Sequence, residues 1–435
     1  MFRVSSCLLR SKKNSLYTQP LRDPSEFPII KQDHFKFNVI HQSKKSSARV
    51  TNITTPNGII ETPNFVPVAT VGSIKFVDPQ TTRKQGTQLM FVNTYHMLVN
   101  ADLDLIERVG GLHKFINYNG PIITDSGGFQ VFSMGHPDRD QSMPIDAEST
   151  PIDESDINVR SLELTKRELK GMSGKQYPGS IESITDQGVA FKSYKTASRI
   201  LLTPETSIRY QKQLGADIII PFDELPPYHL DAQRVRDSLH RTHHWEAQSL
   251  LAHLADPRKQ AIYAVIHGGV DMELRKQSTE YLSSLPFDGM AIGGSIGKDR
   301  DEMHHLLNQL MPLLPRERPN HLLGIGDLES IERLMPLGID TFDSSYPTRA
   351  ARHGALILQD NTRFLITKSE YKTKHDEPID KTCDCPTCTN YSKAYIHHLY
   401  KSNEQIFYTL ATQHNLRAMA RIMETYRNKI KANEI

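Results

Sequence analysis

Eight short apolar runs recur along this chain, each closed by small or polar residues. They are Phe65–Thr70, Leu89–Thr94, Pro121–Asp125, Asp217–Asp223, Ile262–Gly269, Gly289–Ser295, His321–Gly326 and Thr341–Ser344. Most of the intervals between them carry an amphipathic helical pattern, as in DAQRVRDSLHRTHHWEAQSLLAHL and DEMHHLLNQLMPLL. Strands that alternate with helices must pair in parallel, because each helix carries the chain back across the sheet. Eight such units suit a closed (β/α)8 barrel. The competing open, doubly wound sheet ordinarily shows a glycine-rich phosphate loop after its first strand, and none follows Phe65–Thr70. The expected fold is therefore α/β, a (β/α)8 TIM barrel. A hairpin signal at Pro56-Asn57-Gly58 opens the folded part, and Thr203-Pro204-Glu205 marks one helix start.

The 435 residues suffice for one large domain or for two to three ordinary ones. Lys and Arg number 52 against 50 Asp and Glu, so the net charge is only +2. That balance excludes a global field steering toward nucleic acid; such a partner requires a local patch. No apolar run approaches the length that spans a bilayer. Residues 1–34 read as a basic, disordered extension: Arg3, Arg10, Lys12 and Lys13 precede the first acid, Asp23. That composition is compatible with a mitochondrial transit peptide, although the cytoplasm is the expected location. Residues 35–380 are expected to form the barrel domain. Within it, the acidic, proline-bearing segment 136–182 reads as a surface insertion poor in large apolar residues. Residues 381–435 read as a zinc-binding helical subdomain.

In a barrel the C-terminal strand ends line the site. Here those ends are Asn93-Thr94-Tyr95-His96, Asp125-Ser126, Asp223-Glu224, His267-Gly268-Gly269, Gly293-Gly294 and Asp343-Ser344. A single Asp at a helix start is ordinary capping; a ring of carboxylates on different strands is not. Two carboxylates facing one carbon suit chemistry at an anomeric centre, where one attacks C1′ and the other moves protons. Phe129 offers a face for a heterocycle, Gly293-Gly294 offer bare amides, and Asp223 offers an acceptor for a guanine-like edge.

CDCPTC places Cys383, Cys385 and Cys388 close enough to wrap one ion, and a structural zinc needs a fourth ligand. Spacing alone leaves His397, His398 and His414 open. With four protein ligands the metal is structural. The thiols imply a reducing compartment. His240, His243 and His244 in HRTHH lack a carboxylate cluster and read as surface histidines on a charged helix.

From Phe37 to Asn428 the assembled motifs resemble the queuine tRNA-ribosyltransferase family, the tRNA-guanine transglycosylases. They are NTYHM, TDSGGFQVFSMG, FDE, HGG, AIGGS, GIG, FDSSYPTRAARHG and CDCPTC followed by HNL. The resemblance implies a TIM barrel with a zinc-bearing C-terminal part that exchanges guanine at the wobble position of tRNAs with a GUN anticodon. The replacement is a 7-deazaguanine, either queuine or its 7-aminomethyl analogue. It implies Asp343 as the nucleophile of a covalent tRNA intermediate and Asp125 as the group that deprotonates the incoming base. Ser126, Gly127, Gly128, Phe129, Asp223, His267, Gly293, Gly294 and Leu323 fall where the family holds the base. Gly324, Ile325, Gly326, Asp327, Leu328, Glu329 and Ser330 correspond to an RNA-holding stretch, as do Thr348, Arg349, Ala350, Ala351 and Arg352. HNL selects His414 as the fourth zinc ligand, and the family usually works as a homodimer.

Some positions depart from the family pattern. His267 stands where many bacterial members have glutamine, Leu323 where a methionine often covers the base, and Ser295 at a usual leucine position. Leu225 and Gly297 replace the cysteine and valine typical of members that use the aminomethyl base, and the volume freed at Gly297 points to queuine. The rival reading is a non-catalytic tRNA-binding partner subunit, against which the retention of both Asp125 and Asp343 argues. The tail arginines Arg417, Arg421 and Arg427, with Lys429 and Lys431, add a candidate phosphate patch.

Overall fold

Each apolar run overlaps a strand: β1 Asn64–Pro67, β2 Met90–Val92, β3 Ile122–Thr124, β4 Ile218–Ile219, β5 Ala261–Ile266, β6 Gly289–Ile292, β7 Asn320–Leu322 and β8 Thr341–Ser344. In this computed structural model, which describes residues 19–30, 33–134, 181–193, 195–226, 228 and 230–435, they form one sheet in the order β1-β8-β7-β6-β5-β4-β3-β2. The pairings are parallel. A parallel bridge between Val68 and Phe91 joins β1 to β2, and Ala69 N donates to Phe91 O at 2.7 Å, which brings the sheet round into a barrel.

Successive side chains of a strand face opposite ways. In β5, Tyr263 and Val265 point into the barrel with Val66, Phe91, Ile123 and Ala291. Ile262, Ala264 and Ile266 point outward into the cluster shared with the helices. Burial on both faces explains why these strands read as continuous apolar runs. The hairpin of Arg49–Thr55 and Gly58–Thr62 supplies Ile53 and Ile60 to the interior cluster, at the end where the strands begin.

Three findings depart from expectation. Residues 19–30 of the extension are ordered: Asp23 closes a capping box on the turn Pro24–Glu26, and Phe27 is buried in the main core. A three-stranded antiparallel sheet, Ile181–Thr185, Gly188–Lys192 and Arg199–Leu202, packs Val189, Phe191 and Leu202 against Tyr95, Phe222 and Trp245. The insertion's last two residues, 181 and 182, begin that sheet, while residues 136–180 lie outside those described. His243 and His244 are buried rather than exposed, because the helix Ala232–Ala255 turns that face onto the barrel. No helix among the described residues is long and apolar enough to cross a membrane.

Candidate active site and metal centre

Parallel strands bring their C-terminal ends to one mouth. Directly after β3 stands Asp125, whose carboxylate sits in a cage of four donors. Its Oδ1 accepts from Thr94 N at 2.7 Å and Gly127 N at 3.1 Å, and its Oδ2 from Asn93 Nδ2 at 2.7 Å and Gln130 Nε2 at 2.9 Å. Burial pushes this carboxyl above its ordinary value, against the pull of those donors. Gly127 adopts φ +82°, and a Cβ there would stand 3.3 Å from Tyr95 N, so the turn requires glycine.

Around Asp223 the structure gathers most of the expected base-holding residues. Ser126 Oγ donates to its Oδ1 at 2.9 Å, and His267 Nε2 lies 2.8 Å from its Oδ2. A Cβ on Gly128 would lie 3.0 Å from Asp223 O. One on Gly294 would lie 2.7 Å from His267 Nδ1, and one on Gly293 would lie 3.3 Å from Leu323 Cδ1. Phe129 is 53% exposed, an aromatic face left open to a flat ligand. Beneath this set, His267 N donates to Ser278 Oγ at 3.3 Å, and the same hydroxyl bonds to His243 Nε2 at 3.1 Å.

Asp343 comes from β8, separated from β3 by β1 and β2. Its Oδ1 accepts from Gly324 N at 2.8 Å and faces His321 Nε2 at 3.0 Å. Among the described residues no hydrogen bond engages Oδ2. His321 is fully buried, lies parallel to Phe91 at 6.0 Å between centroids, and bonds through Nδ1 to Thr341 Oγ1 at 2.8 Å. The strand-end reading misses His321 because the residue opens its run instead of closing it. It also misses Gln130, whose amide reaches back one helical turn.

The expected RNA-holding stretches divide by exposure. Gly324, Glu329 and Arg352 are exposed, Ile325 and Arg349 half-buried. Gly326, Asp327, Leu328, Ser330, Thr348, Ala350 and Ala351 are buried. Asp327 instead caps the helix Leu328–Leu334 through Ser330 N. In the tail, Arg427 is buried and donates to Pro63 O at 2.9 Å, and Arg417 forks onto Asp384 at 2.6 and 2.7 Å. Gly297 has φ +138°, and a Cβ there would lie 2.8 Å from Met303 N. Backbone geometry alone therefore demands glycine at that position, whatever the size of the ligand.

The metal-ligand atoms of Cys383, Cys385, Cys388 and His414 all lie within 4.8 Å of one another, and all four residues are buried. His414 Nε2 meets Ile357 O at 2.8 Å, which turns Nδ1 toward Cys388 Sγ at 3.3 Å and Cys385 Sγ at 3.6 Å. A carbonyl on the far nitrogen fixes the tautomer a metal needs. His397 is engaged elsewhere, through Nδ1 to Ile366 O at 2.7 Å. Three soft sulfurs and one oriented imidazole fit a closed zinc site. Asn415, beside His414, bonds Ile357 N, Pro347 O and Ala355 O and so anchors this centre to the chain just past β8.

Comparison with known proteins gives one consistent result. The family model described as Queuine tRNA-ribosyltransferase matches residues 43–167 and 162–435. A protein of that name from Protochlamydia amoebophila (strain UWE25) is 53% identical over 402 residues, covering 92% of this chain and 97% of the relative. Its namesake from Chlamydia felis (strain Fe/C-56) is 46% identical, covering 92% and 99%. Another from Roseiflexus sp. (strain RS-1) is 40% identical over 408 residues, covering 91% and 95%.

Proposed function

The chain belongs to the queuine tRNA-ribosyltransferase family of tRNA-guanine transglycosylases, and from that premise we propose that it exchanges the wobble guanine of GUN-anticodon tRNAs through a covalent ribosyl–Asp343 intermediate. The observation that carries this reading is the asymmetry of Asp343. Two contacts fix Oδ1, while Oδ2 stays uncommitted at the barrel mouth. Oδ2 forms the bond to C1′ as the C1′–N9 bond breaks, and guanine departs with that electron pair and takes a proton from Asp125. The incoming base gives its N9 proton to Asp125, attacks C1′ and releases the Asp343 carboxylate. A buried acid with a raised proton affinity suits that exchange near neutral pH.

Asp223, with Ser126 and His267, reads the guanine-like edge, and Phe129 stacks on the ring. Each carboxylate oxygen of Asp223 keeps a lone pair beyond its present contact. A loop nucleotide reaches such a pocket only when splayed from its stack. Exposed Arg352 and half-buried Arg349 supply the phosphate contacts. Queuine is the base we place first, on Leu225 where members that use the aminomethyl base carry cysteine. A structural zinc on Cys383, Cys385, Cys388 and His414 would hold the C-terminal helices to the barrel. We further propose a homodimer, a cytoplasmic location in keeping with three free thiols, and a division into extension (1–34), barrel (35–380) and zinc subdomain (381–435).

Radiolabelled guanine incorporation into tRNA tests the reading. Wild type incorporates label, Asp343→Ala does not, and Asp125→Ala is severely slowed. Queuine offered beside the aminomethyl base, with undermodified tRNA, identifies the substrate. Full incorporation by Asp343→Ala refutes the covalent route, and a wild type that binds tRNA without exchange establishes the partner-subunit alternative.

A further inference from the structure

The helix Met272–Ser284 starts just beyond the His267-Gly268-Gly269 turn and carries Arg275 in its first turn. Arg275 is fully buried. Among the described residues it pairs with no carboxylate; it donates only to backbone carbonyls. Nε reaches Gly269 O at 2.9 Å, Nη1 reaches Ile266 O at 2.6 Å and Gly293 O at 2.9 Å, and Nη2 reaches Ser295 O at 3.0 Å. Two of these acceptors belong to the end of β5 and the turn after it, and two lie in the turn after β6.

Those turns are the ones that carry His267 and the Gly293-Gly294 pair. A cation taken out of water without a counter-charge is costly, and burial draws this guanidinium down to about 9. Packing alone would be served as well by an apolar side chain. What an apolar residue lacks is a rigid plane of five donors that fixes four acceptors at set angles. A lysine ammonium is a point charge with three donors and does not span both turns. The spacing held by Arg275 is tight, since a Cβ on Gly294 would stand 2.7 Å from His267 Nδ1 and 3.8 Å from Arg275 Nη2.

We propose that Arg275 is a positioning residue of the base pocket, which sets the distance between the His267–Asp223 edge and the amides of Gly293-Gly294. Affinity for the guanine-like base then depends on its guanidinium, while tRNA docking through phosphate contacts does not. The inference rests on the base-exchange reading above.

Arg275→Lys and Arg275→Met decide it, with guanine exchange, tRNA filter binding and hydrogen exchange measured on the full chain. In Arg275→Lys the KM for guanine rises about ten- to a hundredfold, as expected when a binding edge shifts by a fraction of an ångström. The Kd for tRNA, carried by phosphate contacts, stays within about twofold of wild type. Amide exchange quickens at 266–270 and 293–297 and nowhere else. Where Arg275→Met fails to fold, the lysine variant alone decides. An unchanged guanine KM, or a loss confined to turnover, overturns the proposal. A wild type without exchange activity defeats the function reading, and this inference with it, whereas an active wild type with an indifferent lysine variant defeats only the role of Arg275.

Discussion

His321 Nε2 lies 3.0 Å from Asp343 Oδ1, and Thr341 Oγ1 lies 2.8 Å from the other nitrogen of the same ring. A neutral imidazole has one donor and one acceptor nitrogen. A carboxylate at Nε2 makes that nitrogen a donor. Thr341 Oγ1, which also donates to Asn320 O at 3.2 Å, holds the ring from its other side and so keeps Nε2 aimed at Asp343.

His321→Phe keeps the flat ring beside Phe91 and deletes the donor. Losing one hydrogen bond to a charged group costs about 2 kcal/mol, or roughly thirtyfold in kcat. Single-turnover kinetics check this, with His321→Gln partly restoring the rate; a wild-type rate in His321→Phe would sink the argument.

Asp223 accepts from Ser126 at 2.9 Å and faces His267 at 2.8 Å, which leaves it poised for a purine carrying N1–H and a 2-amino group. Hypoxanthine lacks that amine. Wild type should prefer guanine over hypoxanthine by about a hundredfold, and Asp223→Asn should narrow the gap to about tenfold or less. Competition between the two labelled bases measures this. Equal narrowing in a Phe129→Ala control would show that stacking sets the preference instead.

The barrel is legible in the sequence because all eight strands are buried on both faces, and burial leaves an uninterrupted apolar run. The metal site is equally legible in its cysteines; spacing alone leaves His397, His398 and His414 open, the HNL resemblance picks His414, and His414 is the ring that turns a nitrogen toward sulfur. Arg275 reads on paper as an ordinary solvated helix cation, since nothing in a sequence shows four carbonyls converging on one guanidinium. The burial within the two expected RNA-holding stretches is hidden from the sequence for a related reason. Leu328, Ser330, Ala350 and Ala351 are contiguous with exposed positions, but short helices turn them inward. The strands Ile181–Thr185 and Arg199–Leu202 escape notice because only Ile181 and Leu202 are buried, so they lack the two-sided burial that marks the barrel strands.

Cys383, Cys385 and Cys388 are buried beside one another, an arrangement that repels itself once the thiolates lose their ion. The purified protein should carry one zinc per chain by atomic spectroscopy. Chelation or Cys388→Ser should lower the melting temperature by several degrees and admit protease to the helix Ile406–Lys431. Retained metal in Cys388→Ser would move the site elsewhere.

Phe76 stacks on Tyr408 with centroids 4.8 Å apart, yet Phe76 and nearby Ile406 both remain substantially exposed. Phe76 also adopts φ +68°, an unfavourable state for a bulky residue. A subunit contact would account for aromatic surface held there. Light scattering should show a dimer for wild type and a folded monomer for Ile406→Asp; a dimer in both would place the contact on another face.

Acid should destabilise the fold, and the sign follows from two histidines. Burial is the main force holding the His243 and His253 rings at about 3, well below their ordinary 6.5; the neighbouring His267 adds to the effect at His243 and Lys212 at His253. Above pH 6.5 neither ring carries a proton in the folded or the unfolded chain, so both contribute full stability. As pH falls below that point the unfolded chain takes up protons that the native chain refuses until about pH 3. The unfolded state therefore binds more protons across that window, and stability drops by about 1.4 kcal/mol per pH unit for each histidine. Neither nitrogen of His253 has a hydrogen-bond partner among the described residues, so His253→Leu removes one titration without breaking a bond. Urea unfolding at about pH 7.5 and about pH 5 should show a smaller loss for His253→Leu than for wild type, by about 2 kcal/mol. Parallel losses in the two proteins would mean that the ring is already protonated in the native state, or that it does not titrate in this range at all.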